Sequence, residues 1–455
     1  MRDTSAANND KSTRSILYPF ANISHLAKNP PLVIEGGDGV HVMDASGRRY
    51  IDGQAGLWNV NVGHGREEIK DAIRTQLDKL SYYSLFGGTT VSPAIELGEV
   101  LTRMTAPEGM TRAFFSSGGS EANEAAFKLV RQYWRQRGEP TRIKIISLKK
   151  AYHGVTLGAL SANGANAYRE AYEPLIPGFF QVETPHAYRN PFTSDHDALG
   201  TLCAELLERE ILYHGPNTIG AFVAEPVQGA GGVIVPPTNF WPKVREICDR
   251  YDILMISDEV VTGFGRVGNM MGCRHWGVQP DIMNFAKGIN SGYVPLGATM
   301  MNSKVADAFT TDDDTSFSPA AFFHGNTYAG HPLACAAAIA NLKIIEDEDL
   351  PANAGTVGSY FIERLKEVQT RHHNIGDVRG LGLMIGVELV KDPETKTPFE
   401  LSENFGARIS DHCREKGVLI RNLADTFIIS PPLILTKAHV DEMVDVFEDA
   451  LKAVE

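Results

Sequence analysis

Short apolar runs alternate with amphipathic helical patterns through the central part of the chain. Apolar runs of strand length lie at residues 112–116, 143–148, 221–225, 253–258, 282–286 and 296–301. Helical patterns fill the gaps, and the clearest covers residues 121–137, where one face carries Ala122, Ala126, Leu129, Val130 and Tyr133. Strands that alternate with helices in this way predict a mostly parallel sheet covered on both faces. We therefore expect an α/β fold.

The two ends of the chain depart from this rhythm. Residues 33–52 alternate apolar and polar positions around a turn at 44–47, which predicts a β-hairpin. After about residue 335, strand patterns at 383–389, 418–421 and 427–430 mix with helices. We therefore expect three parts: an N-terminal arm and hairpin (1–65) that pack with the small domain, a large domain (66–334) and a small C-terminal α+β domain (335–455).

Composition and charge exclude some classes of function. The 455 residues include 43 Lys and Arg against 56 Asp and Glu, which gives a formal net charge of −13 and argues against a nucleic-acid partner. The five cysteines are scattered and form no C-x-x-C motif, as is typical of a reducing compartment. The sequence has no signal-peptide pattern at its start and no apolar run of membrane-spanning length. We expect a cytoplasmic protein with no membrane partner and no metal.

The candidate chemistry lies where two of the predicted strands end. Asp258 follows the apolar run 253–256, and Lys287 follows the run 282–286. Ligands of α/β sheets bind beyond the carboxyl ends of the strands, so this carboxylate and this amine are expected to face one pocket. Most Asp and Lys residues are solvated surface groups, which is the alternative interpretation of either one alone. As a pair they favour a cofactor site, with a lysine that forms a Schiff base and an aspartate that holds a pyridinium nitrogen.

A glycine-rich turn joins an earlier strand to its helix. Residues 117–120 (SGGS) lie between the strand at 112–116 and the helix at 121–137. Free amides and the helix dipole at such a junction favour an anion, although a simple capped helix has the same sequence pattern. The segment is not a Walker loop, because the lysine and the spacing of that motif are missing.

Seven motifs in colinear order resemble the class III pyridoxal-phosphate (PLP) aminotransferases. They are FFSSGGSEAN (114–123), AYHG (151–154), EPVQGAGG (225–232), SDEVVTGFGR (257–266), FAKGINSGYVPLGA (285–298), HGNTYAGHP (324–332) and ISPPL (429–433). The resemblance covers residues 15–455 and implies the PLP-dependent transferase fold of type I. The segments AGLWNVNVGHG (55–65) and APEGM (106–110) are similar to the amine–pyruvate, or ω-transaminase, branch.

The resemblance assigns roles to the residues around the cofactor. Lys287 would form the Schiff base and move the proton, and Asp258 would keep the pyridine nitrogen protonated. Amides of Gly119 and Ser120 would bind the phosphate, and Thr327 would add a hydroxyl from the other subunit of a homodimer. The resemblance also implies that three further residues contact or support the cofactor ring, namely Tyr152, Val260 and Glu225.

Substrate residues follow from the same resemblance and from one departure. Members that act on ω-amino acids such as ornithine carry a glutamate where this chain has Ala230, and that glutamate holds the arginine that matches Arg421. Its absence leaves Arg421 free to bind a substrate carboxylate through two hydrogen bonds. The larger part of the pocket would be lined by Trp58, Phe86 and Phe20, the last two from the partner chain.

A protein with this fold could have one of three functions. The resemblance favours a ping-pong transaminase that moves an amino group from a primary amine or ω-amino acid to pyruvate or another 2-oxo acid. A PLP-dependent decarboxylase or aminomutase would use the same Lys287 and Asp258, and a non-catalytic protein would have no reason to keep them. The sequence leaves open which amine is the donor and whether dimers assemble into tetramers.

Overall fold

The computed structural model describes residues 15–313 and 315–455 of the chain. The strands, numbered in chain order, are β1 (Ile34–Asp38), β2 (His41–Asp44), β3 (Arg49–Asp52), β4 (Met110–Ser116), β5 (Lys144–Leu148), β6 (Phe179–Val182), β7 (Ile219–Ala224), β8 (Leu254–Asp258), β9 (Ile282–Phe285), β10 (Gly297–Asn302), β11 (Ile375–Leu381), β12 (Met384–Leu389), β13 (Val418–Leu419), β14 (Arg421–Leu423) and β15 (Thr426–Ile429). Residues 1–14 of the predicted N-terminal arm lie outside the described ranges.

The α-helices are α1 (Ile23–Lys28), α2 (Ala55–Trp58), α3 (Glu67–Lys79), α4 (Ser92–Met104), α5 (Gly119–Gln136), α6 (Leu157–Ala162), α7 (Asn166–Arg169), α8 (His196–His214), α9 (Phe240–Arg250), α10 (Ser303–Ala306), α11 (Pro332–Asp347), α12 (Leu350–Gln369), α13 (Phe405–Glu415) and α14 (Lys437–Val454). None of the described helices is long and apolar enough to cross a membrane. The described residues also contain no group of three or more acidic, histidine or cysteine side chains placed to bind a metal ion.

A seven-stranded sheet forms the centre of the molecule, in the order β4-β10-β9-β8-β7-β5-β6. The pairs β9–β8, β8–β7, β7–β5 and β5–β6 are parallel, and β10 is antiparallel to both of its neighbours. Strands β7, β8 and β9 are buried along their whole length, as expected of strands covered on both faces. The predicted α/β class with a mostly parallel sheet is confirmed.

Helices cover both faces of this sheet. One apolar cluster joins α5 to the sheet through Ala126, Val130 and Trp134, and a second joins α8 and α9 to the other face. Strand β6, at the edge, was not predicted, because only one of its four residues is buried and its sequence shows no clear period. The two layers leave the carboxyl ends of β8 and β9 side by side.

The N-terminal strands belong to a separate four-stranded sheet. Strands β1, β2 and β3 form an antiparallel meander, one strand more than the predicted hairpin, and β3 then pairs in parallel with β13. The C-terminal sheet has the order β11-β12-β15-β14. Helix α11 packs against α3 and α4 rather than against the C-terminal sheet. The division at residues 65 and 334 remains a proposal.

Candidate active site

Asp258 is the last residue of β8, and its side chain is buried. Oδ2 accepts hydrogen bonds from Nδ2 of Asn123 at 2.8 Å and from Nδ1 of His153 at 2.7 Å. Among the described residues, Oδ1 accepts only the backbone amide of Val260, at 3.1 Å. The first oxygen is therefore fixed by two side chains, and the second has capacity for a further donor.

Lys287 lies two residues beyond β9 and has a positive φ of 46°. The turn that it begins is held by Asn341 of α11, whose Nδ2 lies 2.9 Å from the carbonyl oxygen of Gly288 and 3.0 Å from that of Ile289. Burial lowers the pKa of the Lys287 amine, and the nearby charge of Asp258 opposes that shift. The amine is therefore more readily deprotonated than a solvated lysine.

Helix α5 begins at Gly119, so the first amides of this helix have no partner within it. Gly154 lies against this end with φ of 125°, and a Cβ there would stand 2.4 Å from Oγ of Ser120. The amide of Val155 donates to the same Oγ at 3.1 Å. The close approach of the 153–155 segment thus requires glycine at 154 and fixes the Ser120 hydroxyl.

These groups surround one cavity of about 150 Å³. Val260 borders the cavity on the β8 side. It lies so close to Gly119 that a Cβ added at Gly119 would be 3.0 Å from Cγ1 of Val260. The lining residues are Gly119, Ser120, Asn123, Tyr152, His153, Gly154, Glu225, Asp258, Val260, Val261, Ala286 and Lys287. The structure therefore brings together a carboxylate, an amine and a helix start that are far apart in the sequence.

Glu225 is buried just beyond β7, and its carboxylate accepts two backbone amides. Oε1 accepts from Tyr152 at 3.0 Å, and Oε2 accepts from Gly229 at 2.8 Å. Burial raises the pKa of Glu225 to about 7. The side chain joins the segment before Tyr152 to the loop that carries Ala230, which places it beside the cavity as a structural link.

Arg421 is the first residue of β14 and is half-buried. Its positive charge is close enough to lower the pKa of Lys287, although burial has the larger effect. Within the described residues, the side chain of Arg421 has no ion pair and donates no hydrogen bond; the many arginine pairs of the structure lie elsewhere. A cation in this setting has its hydrogen-bonding capacity free for an anionic ligand.

Two of the predicted aromatic side chains pack against other residues of their own chain. Trp58 is 6% exposed and packs with Val227, Val233 and Met384, so it is a core residue whose edge lies near Gly229. Phe20 lies against Tyr168 of its own chain, with ring centroids 5.7 Å apart. Within the single chain, Phe20 therefore extends the aromatic pair of Tyr152 and Tyr168, and its contribution from a partner chain stays a prediction.

Two predicted residues lie away from this cavity on the same chain. Phe86 is 53% exposed and lines a surface cavity with Phe322 and Phe323, and Thr327 is exposed in the neighbouring loop. Neither lines the cavity that contains Lys287. A role for either at that cavity would require a second chain.

Three residues near the cavity were missed by the sequence interpretation. Asn123 and His153 hold Asp258, and the ring of Tyr168 lies 5.4 Å from that of Tyr152. Asn123 is four residues after Gly119 and therefore on the same face of α5, a spacing that could have indicated it. His153 stood in the quoted motif beside Tyr152, but nothing local assigns it to Asp258.

Comparisons with known proteins agree with this geometry. Residues 23–451 match the family model described as aminotransferase class-III. The chain is 37% identical over 428 residues to putrescine–pyruvate aminotransferase of Pseudomonas aeruginosa, which covers 94% of this chain and 92% of that protein. It is 40% identical over 446 residues to adenosylmethionine-8-amino-7-oxononanoate aminotransferase of Geobacter sulfurreducens, covering 98% and 97% of the two chains.

A solved structure shares the complete fold. It is an amine transaminase from an uncultivated Pseudomonas species in its PLP-bound form, with a TM-score of 0.94 and 46% sequence identity. The match covers 97% of this chain and 99% of that chain. Architecture and sequence therefore agree along nearly the whole length.

Proposed function

The chain belongs to the class III aminotransferases, and we propose that it transfers an amino group from a primary amine or ω-amino acid to pyruvate or another 2-oxo acid. The putrescine–pyruvate relative and the amine transaminase structure support this reaction class, because their names describe it. The 8-amino-7-oxononanoate relative carries the name of a different pair of substrates. The donor of this chain is therefore a question for experiment.

Class III aminotransferases use pyridoxal 5′-phosphate, and the cavity fits that cofactor. PLP offers an aldehyde, a ring nitrogen and a phosphate. The cavity offers a buried amine on Lys287, a buried carboxylate on Asp258 and the free amides at the start of α5. Val260 and Tyr152 also line the cavity and would supply aliphatic and aromatic contacts to the cofactor ring.

When bound, PLP supplies an electron sink that stabilises negative charge at the carbon next to the transferred nitrogen. Asp258 would accept a hydrogen bond from the protonated ring nitrogen through Oδ1, the oxygen that the side chains of Asn123 and His153 leave free. Lys287 would hold the cofactor by its aldehyde and, once released, take and return a proton at the reacting carbon. Its lowered pKa favours that work, because a proton acceptor must be neutral.

Arg421 would bind the carboxylate of the 2-oxo acid. A guanidinium grips a carboxylate through two parallel hydrogen bonds, which also orients the keto carbon. A donor amine without a carboxylate would require Arg421 to turn toward solvent, because an unpaired charge against an apolar group is costly. Tyr152, Tyr168 and Phe20 form a continuous aromatic series beside this position.

The observation that carries the proposal is the convergence of Lys287, Asp258 and the start of α5 on one cavity. The test is a half-reaction screen with the PLP-loaded protein. Putrescine, β-alanine, taurine and an arylalkyl amine are each added, and the loss of the cofactor's visible absorbance is followed. At least one amine should bleach the protein, and pyruvate should restore the colour with formation of alanine. Carbon dioxide or an isomerised amine in place of alanine would instead establish the decarboxylase or aminomutase.

We also propose that the protein is a cytoplasmic homodimer that shares its active sites. The exposed aromatic surface around Phe86, Phe317 and Phe323 supports an interface, since exposed apolar patches of this kind mark protein contacts. Five buried, unpaired cysteines support a reducing compartment.

Complementation between two inactive variants tests the sharing of sites. Chains with Lys287→Ala and chains with Thr327→Ala are co-expressed, and the mixed dimers are purified with two affinity tags. If Thr327 serves the partner's cavity, each mixed dimer keeps one intact site and is more active than either parent dimer. If mixed dimers are no more active than the parents, Thr327 does not act across the interface.

A further inference from the structure

A groove of about 900 Å³ lies outside the candidate active site. One wall consists of the segments 186–197 and 234–238, and the other consists of α12, β11 and Lys396. No residue that lines this groove lines the cavity with Lys287. The groove therefore belongs to the part of the molecule between the central sheet and the C-terminal sheet, where the proposed function assigns nothing.

The lining of the groove has an excess of positive charge. Its cationic side chains are Lys366, Arg379 and Lys396, and its carboxylates are Asp197 and Asp377. Asp377 is already paired with Nη1 of Arg379 at 2.7 Å. Among the described residues, Lys366 and Lys396 pair with no carboxylate, although the whole chain has a net charge of −13. Both lysines can therefore pair with an anionic ligand without first breaking an ion pair within the described residues.

Arg379, which lines the groove, is part of an ionic cluster with residues outside the lining. Glu388 lies between Arg379, at 2.8 Å, and Arg189. Burial alone would raise the pKa of Glu388, but the two arginines hold it below its usual value. Lys150 is a further positive charge near this cluster. Burial lowers its pKa, and the charges of Glu388 and Arg379 also influence that pKa. This cluster therefore has no spare negative charge with which to neutralise the two groove lysines.

Lys396 is fixed in position before any ligand arrives. Its Nζ donates to the carbonyl oxygen of Tyr188 at 2.8 Å and lies 4.6 Å from the centre of the Tyr188 ring. A cation held in this way loses little side-chain freedom when it binds an anion, which favours affinity. Two of its three donor hydrogens remain available.

We propose that this groove binds a small molecule that carries two or more anionic groups, either carboxylates or phosphates. Two groups are expected because Lys366, on α12, and Lys396, in the loop after β12, reach the groove from different segments. The volume lies within the range of about 300–1,000 Å³ that small-molecule sites occupy. Ile362 and Val378 supply apolar surface for the carbon skeleton of such a ligand. The exposed Asp197 disfavours an anion at its own end, which confines the ligand to the lysine end.

Arg379 lines the groove and also contacts the loop beside the active-site cavity. Nε of Arg379 lies 2.9 Å from the carbonyl oxygen of Gly232 and 3.1 Å from that of Val233. Both belong to the segment that begins at Glu225 and contains Ala230. A ligand that contacts Arg379 therefore contacts the residue that anchors this loop.

Calorimetric titration of the PLP-loaded protein tests the proposal. Citrate and pyrophosphate are titrated separately at constant ionic strength, and PLP is kept saturating so that the amides at the start of α5 are occupied. At least one probe should bind saturably, with one site per chain. Citrate alone would identify a carboxylate ligand, and pyrophosphate alone a phosphate ligand.

Variants locate the binding in the groove. Replacing both groove lysines (Lys366→Gln with Lys396→Gln) should weaken binding about tenfold, since each exposed charge pair contributes modestly. Lys343→Gln, which removes an exposed lysine paired with Asp347 on α11, is the matched control and should leave the affinity unchanged. Arg421→Ala should also leave it unchanged, because Arg421 does not line the groove. The proposal is overturned if neither probe binds saturably, if Lys343→Gln weakens binding as much as the double variant, or if Arg421→Ala abolishes it.

Discussion

Nδ1 of His153 lies 2.7 Å from Oδ2 of Asp258, and both side chains are buried at the end of β8. A carboxylate accepts but does not donate, so the imidazole places a proton on Nδ1. Nε2 of His153 is buried and has no hydrogen-bond partner among the described residues. His153 therefore acts through Asp258, whose position it fixes together with Asn123.

Removal of the His153 imidazole should weaken the hold on PLP. A hydrogen bond to a charged group contributes about 1.5–3 kcal/mol, so His153→Ala should raise the dissociation constant of PLP about tenfold to a hundredfold. Titration of the apoprotein with PLP, followed by absorbance, measures this. His186→Ala removes another buried histidine far from Asp258 and serves as the control. Equal PLP affinity in the His153 variant and the wild type would show that the contact has no such role.

A side chain at position 154 should disturb the phosphate end of the site. Gly154→Ala places a Cβ 2.4 Å from Oγ of Ser120 in a backbone conformation that alanine rarely adopts. Strain of this kind costs about 1–3 kcal/mol, which predicts PLP binding weaker by about tenfold or more. Gly118→Ala is the matched control, because its extended backbone suits any residue and a Cβ there meets nothing within 4 Å. The prediction is wrong if both alanine variants bind PLP equally well.

Loss of Arg421 should slow the half-reaction with pyruvate much more than the half-reaction with an amine that has no carboxylate. Arg421→Ala should lower kcat/KM for pyruvate about tenfold to a hundredfold, because two charge-assisted hydrogen bonds are lost. The rate of bleaching by an arylalkyl amine without a carboxylate should change by less than about threefold, since no such bond is made to that substrate. Arg414→Ala removes an exposed arginine nearby that pairs with Asp411 and should affect neither half-reaction. Equal losses with both substrates would rule out a carboxylate-binding role.

The amine of Lys287 should react as a neutral base at lower pH than ordinary lysines. Burial disfavours its charged form, so the folded pKa lies below 10.5 and the neutral fraction at any lower pH is larger than for an unshifted amine. Competitive acylation of the apoprotein over a range of pH, read out by peptide mass spectrometry, gives the midpoint. Lys343, exposed on α11, is the internal reference in the same digest. A midpoint for Lys287 at or above 10.5 would contradict the assignment.

The carboxyl ends of β8 and β9 were predicted because each strand is a continuous apolar run in the sequence. Both strands are fully buried in the structure. Asp258 and Lys287 could therefore be placed before the structure was known. A strand that is buried on both faces is apolar at consecutive positions, so it can be recognised from a short stretch of sequence. Strand β6 lacks that signal, because three of its four residues are only partly buried.

Contacts between distant segments were beyond local patterns. Asp258 is 105 positions from His153 and 135 from Asn123, so only the assembled fold brings them into hydrogen-bond range. Trp58 could not be placed from its glycine-rich neighbours, because its burial depends on Val227 and Met384. The position of Phe20 likewise depends on Tyr168, far along the chain. The positions of Asp258 and Lys287 at strand ends were thus predictable from the sequence. The contacts that hold Asp258 in place were not.

Borohydride reduction of the PLP-loaded protein, followed by proteolysis and peptide mass spectrometry, tests the central assignment most directly. The account predicts that the reduced pyridoxyl group is found on the peptide that contains Lys287 and that it is absent from Lys287→Ala treated in the same way. A pyridoxyl group on a different lysine, or no modified peptide at all, would contradict the assignment of this residue as the covalent anchor of the cofactor.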